Sequence, residues 1–253
     1  MRTPSPAEKL LLSLGVKSPK EIDLEAIAAT QGAFVKYKPL DQSEAMIVGN
    51  SKNAIITVNC RCRHQRQRFS IAHELGHWHY DRGRTLICSP LDVGNPNLRV
   101  FNPERHADEY ASDLLLPSFL LRPILKEMRT LTLAGVRRIA DEFDVSLTAA
   151  LLKALREDMF PAIVVRHGRD AKSWIWSSKL VPEWWRVRQE LDKETFAYAM
   201  LYEDASEERF PRSIPAKAWF DFKGVDTYEV KEQSFKPTPN EVVTILTVPE
   251  ARY

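Results

Sequence analysis

The sequence predicts an α+β protein with a mixed helix-and-strand N-terminal part and a β-rich C-terminal part. Apolar residues recur at helical spacing over residues 65–80 and again over most of 104–157. They follow a period of two in three short runs before residue 60, and aromatic and branched residues dominate beyond residue 160. A length of 253 residues with 44% hydrophobic and 28% charged residues excludes a disordered, collagen-like or coiled-coil chain.

The N-terminal part is predicted to place a small antiparallel sheet among several helices. Two short helices, near Leu10 and over residues 23–30, precede three strands at residues 34–37, 45–48 and 54–58. A longer helix follows over residues 65–80. Further helices are expected from residue 104, and over 117–129, 133–143 and 146–157.

The residue pattern changes after Pro161, where we expect strands and one short helix. The strands are predicted at residues 162–166, 173–177, 196–202, 216–222, 227–235 and 242–248, and the helix at 182–191. The domains predicted from these patterns are 1–130, a helix-turn-helix-like segment packed on it at 131–160, and a β-rich domain of GAF-like kind at 161–253.

Charge and cysteine content restrict the function classes. Lys+Arg 36 against Asp+Glu 34 gives a net charge of +2, so no global field attracts the chain to nucleic acid. Three cysteines are unlike the dense, even sets of secreted disulfide scaffolds. No apolar run reaches the length of a membrane span, and the start lacks a signal-peptide core. A cytoplasmic protein without membrane contact is expected.

The string His73-Glu74-Leu75-Gly76-His77 is an H-E-x-x-H motif inside a predicted helix. Positions four apart share one face of a helix, so both imidazoles can hold one zinc ion while Glu74 stands beside its open side. The alternative is two surface histidines on an amphipathic helix. The motif predicts a zinc site with a catalytic base.

A catalytic zinc site needs a third protein ligand, and Glu104 at the start of the next helix is the best candidate. His106 is the competitor, and Glu104 in an ordinary salt bridge is the remaining alternative. Asp108 shares the helix face of Glu104, so its carboxylate can accept a hydrogen bond from His73 or His77.

These residues resemble the ImmA/IrrE family of bacterial metallopeptidases over roughly residues 5–160. The family pattern R-F-x-x-A-H-E-x-G-H matches the run from Arg68 to His77, and E-x-x-A-N-x-F-A-x-x-L-L-x-P resembles the run from Glu104 to Pro117. Asp108 stands where Asn is common, and Tyr110 stands where Phe is common.

The resemblance implies a zincin-like fold and one Zn²⁺ per chain, bound by His73, His77 and Glu104, with Glu74 as the base. It also implies a protein substrate, typically a helix-turn-helix transcriptional repressor. Cleavage of such a repressor releases stress-response, mobile-element or phage-defence genes.

Two further features near the motif concern catalysis and its control. Cys88 lies eleven residues after His77, and its thiolate is a candidate latency ligand on zinc, with a buried structural cysteine as the alternative. An oxyanion-stabilising side chain is also expected, with ordinary packing as the alternative at the helix end. The candidates are His79, Tyr80, His106 and Tyr110.

Residues 136–155 resemble a helix-turn-helix, but the second helix offers mainly Thr148 and Lys153 as exposed polar residues. This pattern favours a packing helix over one that reads DNA. The alternative function is a DNA-binding regulator whose zinc site is structural only. The basic run of Arg61, Arg63, Arg66 and Arg68 is interpreted as salt-bridged, with contact to an acidic substrate as the alternative.

The β-rich segment is expected to be a regulatory sensor. Its tryptophans accompany basic residues, a combination that can stack on single-stranded DNA, although burial in the core is the alternative. Single-stranded DNA is the first candidate effector and a small molecule the second. The candidate residues are Trp174, Trp176, Lys179, Trp184, Trp185, Arg186 and Arg188, with Lys172 and Trp219 nearby in sequence.

Overall fold

A computed structural model describes residues 3–82, 103–169 and 173–249. The chain forms two compact units. Unit 1 comprises Met1–Leu121 with Asp141–Ser146, and unit 2 comprises Arg122–Ala140 with Leu147–Tyr253. The helical segment that follows the metal motif is therefore divided between the two units.

Unit 1 begins with two short helices whose starts are fixed by side-chain caps. The helix α1, Pro6–Ser13, has a capping box in which Glu8 N–H donates to Ser5 Oγ at 3.3 Å and Ser5 N–H donates to Glu8 Oε2 at 2.9 Å. The helix α2 is Leu24–Thr30, and Asp23 accepts hydrogen bonds from its first turn. The caps explain why helices this short form at the expected places.

The three predicted strands form one sheet, but it is mixed and not antiparallel. The strands are β1, Ala33–Lys38; β2, Ala45–Gly49; and β3, Ala54–Asn59. The order is β1-β3-β2, with β2 antiparallel and β1 parallel to β3. The expected antiparallel sheet was wrong because β3 pairs between the two earlier strands, and β1 and β3 both run opposite to β2.

Two long helices complete the part of unit 1 that carries the motif. They are α3, His64–Asp81, and α4, Pro103–Leu115. All three strands of the sheet contact α3. The buried side chains of β2 and β3 include Ile47, Ile56 and Val58. At the other end of α3, Trp78 Nε1–H donates to the Gln31 carbonyl at 2.8 Å. The motif helix is therefore held along its length by the sheet and at its end by α2.

The helices α5, Ser118–Lys126; α6, Leu133–Phe143; and α7, Leu147–Arg156 agree with the predicted segments. Asp144, between α6 and α7, has φ 51°, the left-handed conformation that a glycine usually supplies at a helix end. The expectation that Lys153 is exposed was wrong. Lys153 is buried, and its Nζ lies 3.7 Å from Oε1 of the buried Glu157. Within α7 only Arg156 is exposed.

Unit 2 contains a five-stranded antiparallel sheet in the order β5-β4-β8-β7-β6. Its strands are β4, Ala162–Gly168; β5, Trp174–Ser177; β6, Arg212–Pro215; β7, Glu229–Thr238; and β8, Glu241–Thr247. One face of the sheet is covered by an apolar core that includes Trp219, Phe220 and Met200. Strand β6 has no counterpart among the predicted strands.

One predicted strand of this unit is a helix, α8, Phe196–Tyr202. Thr195 Oγ1 accepts a hydrogen bond from Tyr198 N–H at 3.1 Å and so caps the helix. Ala197, Met200 and Leu201 are buried, and their spacing of three and four is helical. The aromatic residues in this segment caused the wrong assignment because strands are rich in them.

Two more predicted elements of unit 2 are also wrong. Residues 216–222 form a 3₁₀ turn, Ala216–Ala218, followed by the buried Trp219 and Phe220, whose adjacent aromatic side chains are typical of a strand. Residues 182–191 contain no helix, and within them Val187 forms an isolated bridge with Phe220. Among the described residues, no helix is both long and apolar enough to cross a membrane.

Candidate metal centre

The imidazoles of the two motif histidines lie side by side on one face of α3. His73 and His77 lie four residues apart, and their Nε2 atoms are 3.1 Å from each other. His77 is buried, whereas the side chain of His73 is 18% exposed. The helical spacing predicted from the sequence therefore places both imidazoles at the same site.

Helix α4 brings Glu104 to this site. Glu104 Oε2 lies 3.2 Å from His73 Nε2, and Glu104 Oε1 lies 3.4 Å from His77 Nε2. Within the described residues, this is the one group of three His, Cys, Asp or Glu side chains whose ligand atoms lie within 4.8 Å of one another. The competitor His106 is not a member of the group.

The close approach of the two helices depends on Gly76. A Cβ at this position would lie 2.7 Å from Ala107 Cα and 3.0 Å from the Ala107 carbonyl oxygen. Real side chains do not make such contacts with backbone, so only glycine fits here. Gly76 therefore lets α4 cross α3 beside the motif. The contact residue on α4, Ala107, is three residues after Glu104.

The side chains of this site are arranged so that they can hold a cation between them. His73 Nδ1–H donates to Asp108 Oδ1 at 2.9 Å, and His77 Nδ1 faces Asp81 Oδ2 at 3.8 Å. With a proton on each Nδ1, both Nε2 atoms carry lone pairs and point at each other and at the carboxylate of Glu104. Such an arrangement is suited to a positive charge at its centre.

The spacing fits zinc. Bonds of about 2.0–2.1 Å at tetrahedral angles separate two zinc ligands by about 3.3 Å. The three separations here are 3.1, 3.2 and 3.4 Å. The set of two imidazoles and one carboxylate is also a common one for catalytic zinc.

Asp81 is a member of the site that sequence reasoning missed. Its carboxylate is buried and faces His77, as Asp108 faces His73. The signal was its position four residues after His77, on the same helix face. Asp108 is thus within hydrogen-bond distance of His73, whereas Asp81 faces His77 from 3.8 Å.

The charges around the two imidazoles shift their pKa values in opposite directions. Burial lowers the pKa of His73, but the hydrogen bond to Asp108 and the charges of Glu74, Asp108 and Glu104 outweigh burial and raise it. Burial and the charge of His73 lower the pKa of His77, although Glu104 and Asp81 oppose this.

Glu74 lies beside this centre and is 5% exposed. Its Oε2 is buried and accepts no hydrogen bond within the described residues. Burial raises the pKa of Glu74 to about 7; the charge of His73 lowers it, and that of Glu104 adds to the increase. A carboxyl group with a pKa near neutrality can both take up and release a proton.

The four oxyanion candidates form an aromatic cluster between α3 and α4. The ring of His79 stacks on Tyr110 at 5.2 Å, and the ring of Tyr80 lies 5.6 Å from His106. Tyr110 is buried, and burial raises its pKa to about 12. Tyr80 is 38% exposed and follows His77 by three residues, so these two residues of α3 lie on the same face of the helix.

The basic run before the motif is largely paired with acidic side chains. Arg61 lies 3.6 Å from Asp41, Arg66 bonds Glu44, and Arg68 Nε lies 3.6 Å from Asp144 Oδ2. These contacts support the salt-bridge interpretation of the run. Cys88 and Lys172 lie outside the described residues, so the proposed latency ligand stays a prediction.

The effector candidates in unit 2 divide into buried and exposed side chains. Trp185 and Trp219 are buried in the apolar core, whereas Trp184 is 45% exposed. Lys179 Nζ lies 3.4 Å from Asp158, and Arg188 Nε–H donates to the Phe220 carbonyl at 3.3 Å. Of the predicted effector residues, Trp185 is therefore not accessible, whereas Trp184 and Lys179 are. Trp174 and Trp176 are half-buried, and Arg186 is exposed.

Comparison with protein families now identifies the fold of this site. The family model described as Peptidase_M78, IrrE N-terminal-like domain, matches residues 28–155, slightly more than half of the chain. The chain belongs to this family. The matched region of this Peptidase_M78 member contains His73, Glu74, His77 and Glu104, which confirms the resemblance seen in the sequence.

Solved structures share the fold beyond the peptidase region. Of 11 matching chains, one is a Mycobacterium tuberculosis transcriptional regulator. It is 15% identical, with a TM-score of 0.60 over 96% of this chain and 86% of that chain. At this identity the likeness shows a shared fold alone. No protein with curated annotation matches significantly.

Proposed function

We propose that this Peptidase_M78 member is a zinc-dependent endopeptidase that cleaves a helix-turn-helix transcriptional repressor. Cleavage would derepress stress or phage-defence genes. The observation that carries the proposal is the convergence of three ligand atoms from His73, His77 and Glu104 beside the buried carboxyl of Glu74. A structural zinc site is closed by four protein ligands and has no use for a base.

A zinc ion in this site supplies Lewis-acid polarisation of the scissile carbonyl and activates water for attack. The residues of the chain then divide the remaining work. His73, His77 and Glu104 hold the ion, and Asp108 and Asp81 orient the two imidazoles.

Glu74 moves the proton. Its carboxylate takes a proton from the attacking water as the carbon–oxygen bond forms, and it passes that proton to the leaving amine as the peptide carbon–nitrogen bond breaks. Among the four oxyanion candidates we assign hydrogen-bond donation to the developing oxyanion to Tyr80, which lies three residues after His77 on α3. Burial raises the pKa of Tyr80, with contributions from Glu109 and Asp113, so its hydroxyl keeps the proton that it needs to donate.

We assign control of the peptidase to the β-rich segment 161–253, which belongs to unit 2. The residues of the metal centre all belong to unit 1, so unit 2 is free to sense a ligand. Single-stranded DNA is the first candidate effector and a small molecule the second. The burial of Trp185 and Trp219 leaves Trp184 as the most exposed tryptophan on which a base could stack.

The alternative of a DNA-binding regulator is weaker. A recognition helix presents several polar side chains to the base edges of DNA. In α7 only Arg156 is exposed, and Lys153 is paired with Glu157. This burial favours a packing role for α7.

The decisive variant is Glu74→Gln, which removes the base and leaves all three ligands in place. We expect wild-type zinc content together with loss of peptide cleavage. New protein N-termini would be mapped by mass spectrometry in cells that express either protein, and zinc would be measured on the same purified samples. Repressor cleavage at a near wild-type rate by Glu74→Gln would exclude the assigned role.

A second experiment tests whether single-stranded DNA controls the peptidase. Purified zinc-loaded protein is incubated with the intact form of the repressor identified as its substrate, with and without a single-stranded oligonucleotide. Stimulation supports the proposed effector, and an equal rate in both samples removes single-stranded DNA from the proposal.

A further inference from the structure

The three-stranded sheet of unit 1 has one face that does not pack on α3. Residues 54, 56 and 58 of β3 are buried on the inner face, so residues 55 and 57 point to the opposite, outer face. The strand register places Phe34 and Val48 on either side of Ile55, and Lys36 and Met46 on either side of Thr57. We call these six residues and Lys38 the outer face.

The outer face is apolar where a solvated sheet face is ordinarily polar. Phe34 is 52%, Ile55 40%, Val48 65% and Met46 42% exposed. Phe34, Ile55 and Val48 form a continuous row across all three strands. Single exposed apolar residues are ordinary on protein surfaces. A contiguous row of them is typical of an interaction surface.

The charge on this face has one sign. Lys36 and Lys38 lie on the same face of β1, and neither has an ion-pair partner among the residues that the structure describes. The nearest acidic side chain along β2, Glu44, is already bonded to Arg66. The outer face therefore combines an apolar row with uncompensated positive charge.

A second copy of the chain fits this face poorly. A two-fold dimer through the outer face would bring Lys36 and Lys38 of both copies into one interface, where the residues of the outer face offer no acidic side chain to pair with them. Like charges across an interface are unfavourable. The occupant must carry negative charge.

The dimensions indicate the shape of the occupant. Three strands at about 4.8 Å spacing span about 10 Å, which is the diameter of one α-helix with its side chains. An amphipathic helix can cover the row with its apolar stripe and present carboxylates to the two lysines.

We propose that the outer face, formed by Phe34, Ile55, Val48 and Met46 beside Lys36 and Lys38, docks an acidic amphipathic helix of a partner protein. This docking lies on the side of the sheet away from α3, and it goes beyond the proposed peptidase function. It requires neither bound zinc nor the carboxyl of Glu74.

The probe is a display library of random sixteen-residue peptides selected on the full-length protein. We expect enrichment of peptides with apolar residues at helical spacing and Asp or Glu between them. One enriched peptide, synthesised with fluorescein, is then titrated with the protein by fluorescence anisotropy.

Two double variants test the two halves of the face. We expect Lys36→Glu with Lys38→Glu, and separately Val48→Thr with Ile55→Thr, to weaken binding at least ten-fold. A peptide with its acids replaced by Lys should recover binding to the charge-reversed protein only. Lys20→Glu, an exposed charge reversal elsewhere in unit 1, and Glu74→Gln should bind like wild type.

Three results would overturn the docking proposal. They are a selection without acidic enrichment, binding that both double variants retain, and a wild-type dimer that either double variant dissociates. Zinc content and circular dichroism of each variant show that the fold is kept. Loss of docking with retained cleavage, or the reverse, distinguishes this proposal from the peptidase proposal.

Discussion

At the scale of single residues, Glu104 is the proposed third metal ligand because it is the side chain of α4 that reaches the two imidazoles. Glu104 lies 3.2 and 3.4 Å from their Nε2 atoms, whereas His106, two residues later, packs against Tyr80. We expect Glu104→Ala to lose most bound zinc and His106→Ala to retain it, as measured by elemental analysis after dialysis against a weak chelator. Full zinc occupancy in Glu104→Ala would contradict the assignment.

We expect the carboxylates behind the imidazoles to contribute to zinc affinity. Asp108 and Asp81 each face the Nδ1 of one histidine, and loss of such a partner typically costs 10- to 100-fold in metal affinity. We therefore expect Asp108→Asn and Asp81→Asn to raise the zinc dissociation constant by roughly that factor, measured by competition with a fluorescent chelator. Asp41→Asn, which alters an exposed partner of Arg61, is the control. Equal affinity in all three variants would show that these carboxylates do not tune the site.

At the scale of elements, the crossing of α3 and α4 depends on one glycine. Alanine at position 76 gains about 1 kcal/mol of helix propensity, but its Cβ would overlap Ala107 backbone, and overpacking costs about 1–3 kcal/mol. We expect Gly76→Ala to lower the free energy of unfolding and to weaken zinc binding, because α4 must move and carries Glu104 with it. Urea unfolding and zinc competition measure the two effects.

Gly135 in α6 provides the matched control. A Cβ there would meet the sulfur of Met128, the mobile end of a flexible side chain, at 2.8 Å. Gly135→Ala should therefore leave zinc affinity unchanged and keep or raise stability. If Gly76→Ala binds zinc as tightly as Gly135→Ala, the crossing does not position Glu104.

The elements that could be predicted from the sequence are those whose signal is local. The helix of the motif and the helix that begins at Pro103 follow from spacing and from proline, and both form as expected. The position of β3 between β1 and β2, and the contact of Gly76 with Ala107, join segments that are distant in sequence. No periodicity within one segment contains that information.

In the β-rich part, burial of neighbouring residues removed the periodicity that distinguishes a strand from a helix. Buried residues around Trp219 and in α8 are apolar because they fill the core, and short apolar runs do not distinguish a strand from a helix or a turn. A buried carboxylate, Glu232, fixes α8 by accepting hydrogen bonds from Ala197 N–H at 2.7 Å and Trp219 Nε1–H at 2.8 Å. These contacts join strand β7 to two segments that the sequence patterns did not connect.

At the scale of the whole molecule, the two units are expected to respond differently to pH because His167 is buried in unit 2. Within the described residues neither of its ring nitrogens has a hydrogen-bond partner, and its ring lies 5.9 Å from that of Trp219. Burial lowers the pKa of His167. Below a pH of about 6.5 the unfolded chain therefore takes up a proton that the folded chain does not, and folding stability falls as pH falls.

We expect His167→Phe to remove both this pH dependence and the cost of the unpartnered nitrogens. The variant should be more stable than wild type by about 1–3 kcal/mol at pH 7.5. The gap should widen by up to about 1.4 kcal/mol at pH 5.5, one unit below the ordinary pKa of histidine. Burial raises the pKa of Glu232, which acts in the opposite direction, but this contribution is present in both proteins and cancels in their difference. Urea unfolding followed by tryptophan fluorescence measures the gap in unit 2, since five of the six tryptophans belong to it. A gap that is the same at both pH values would mean that His167 accepts a proton in the folded chain as readily as in the unfolded one.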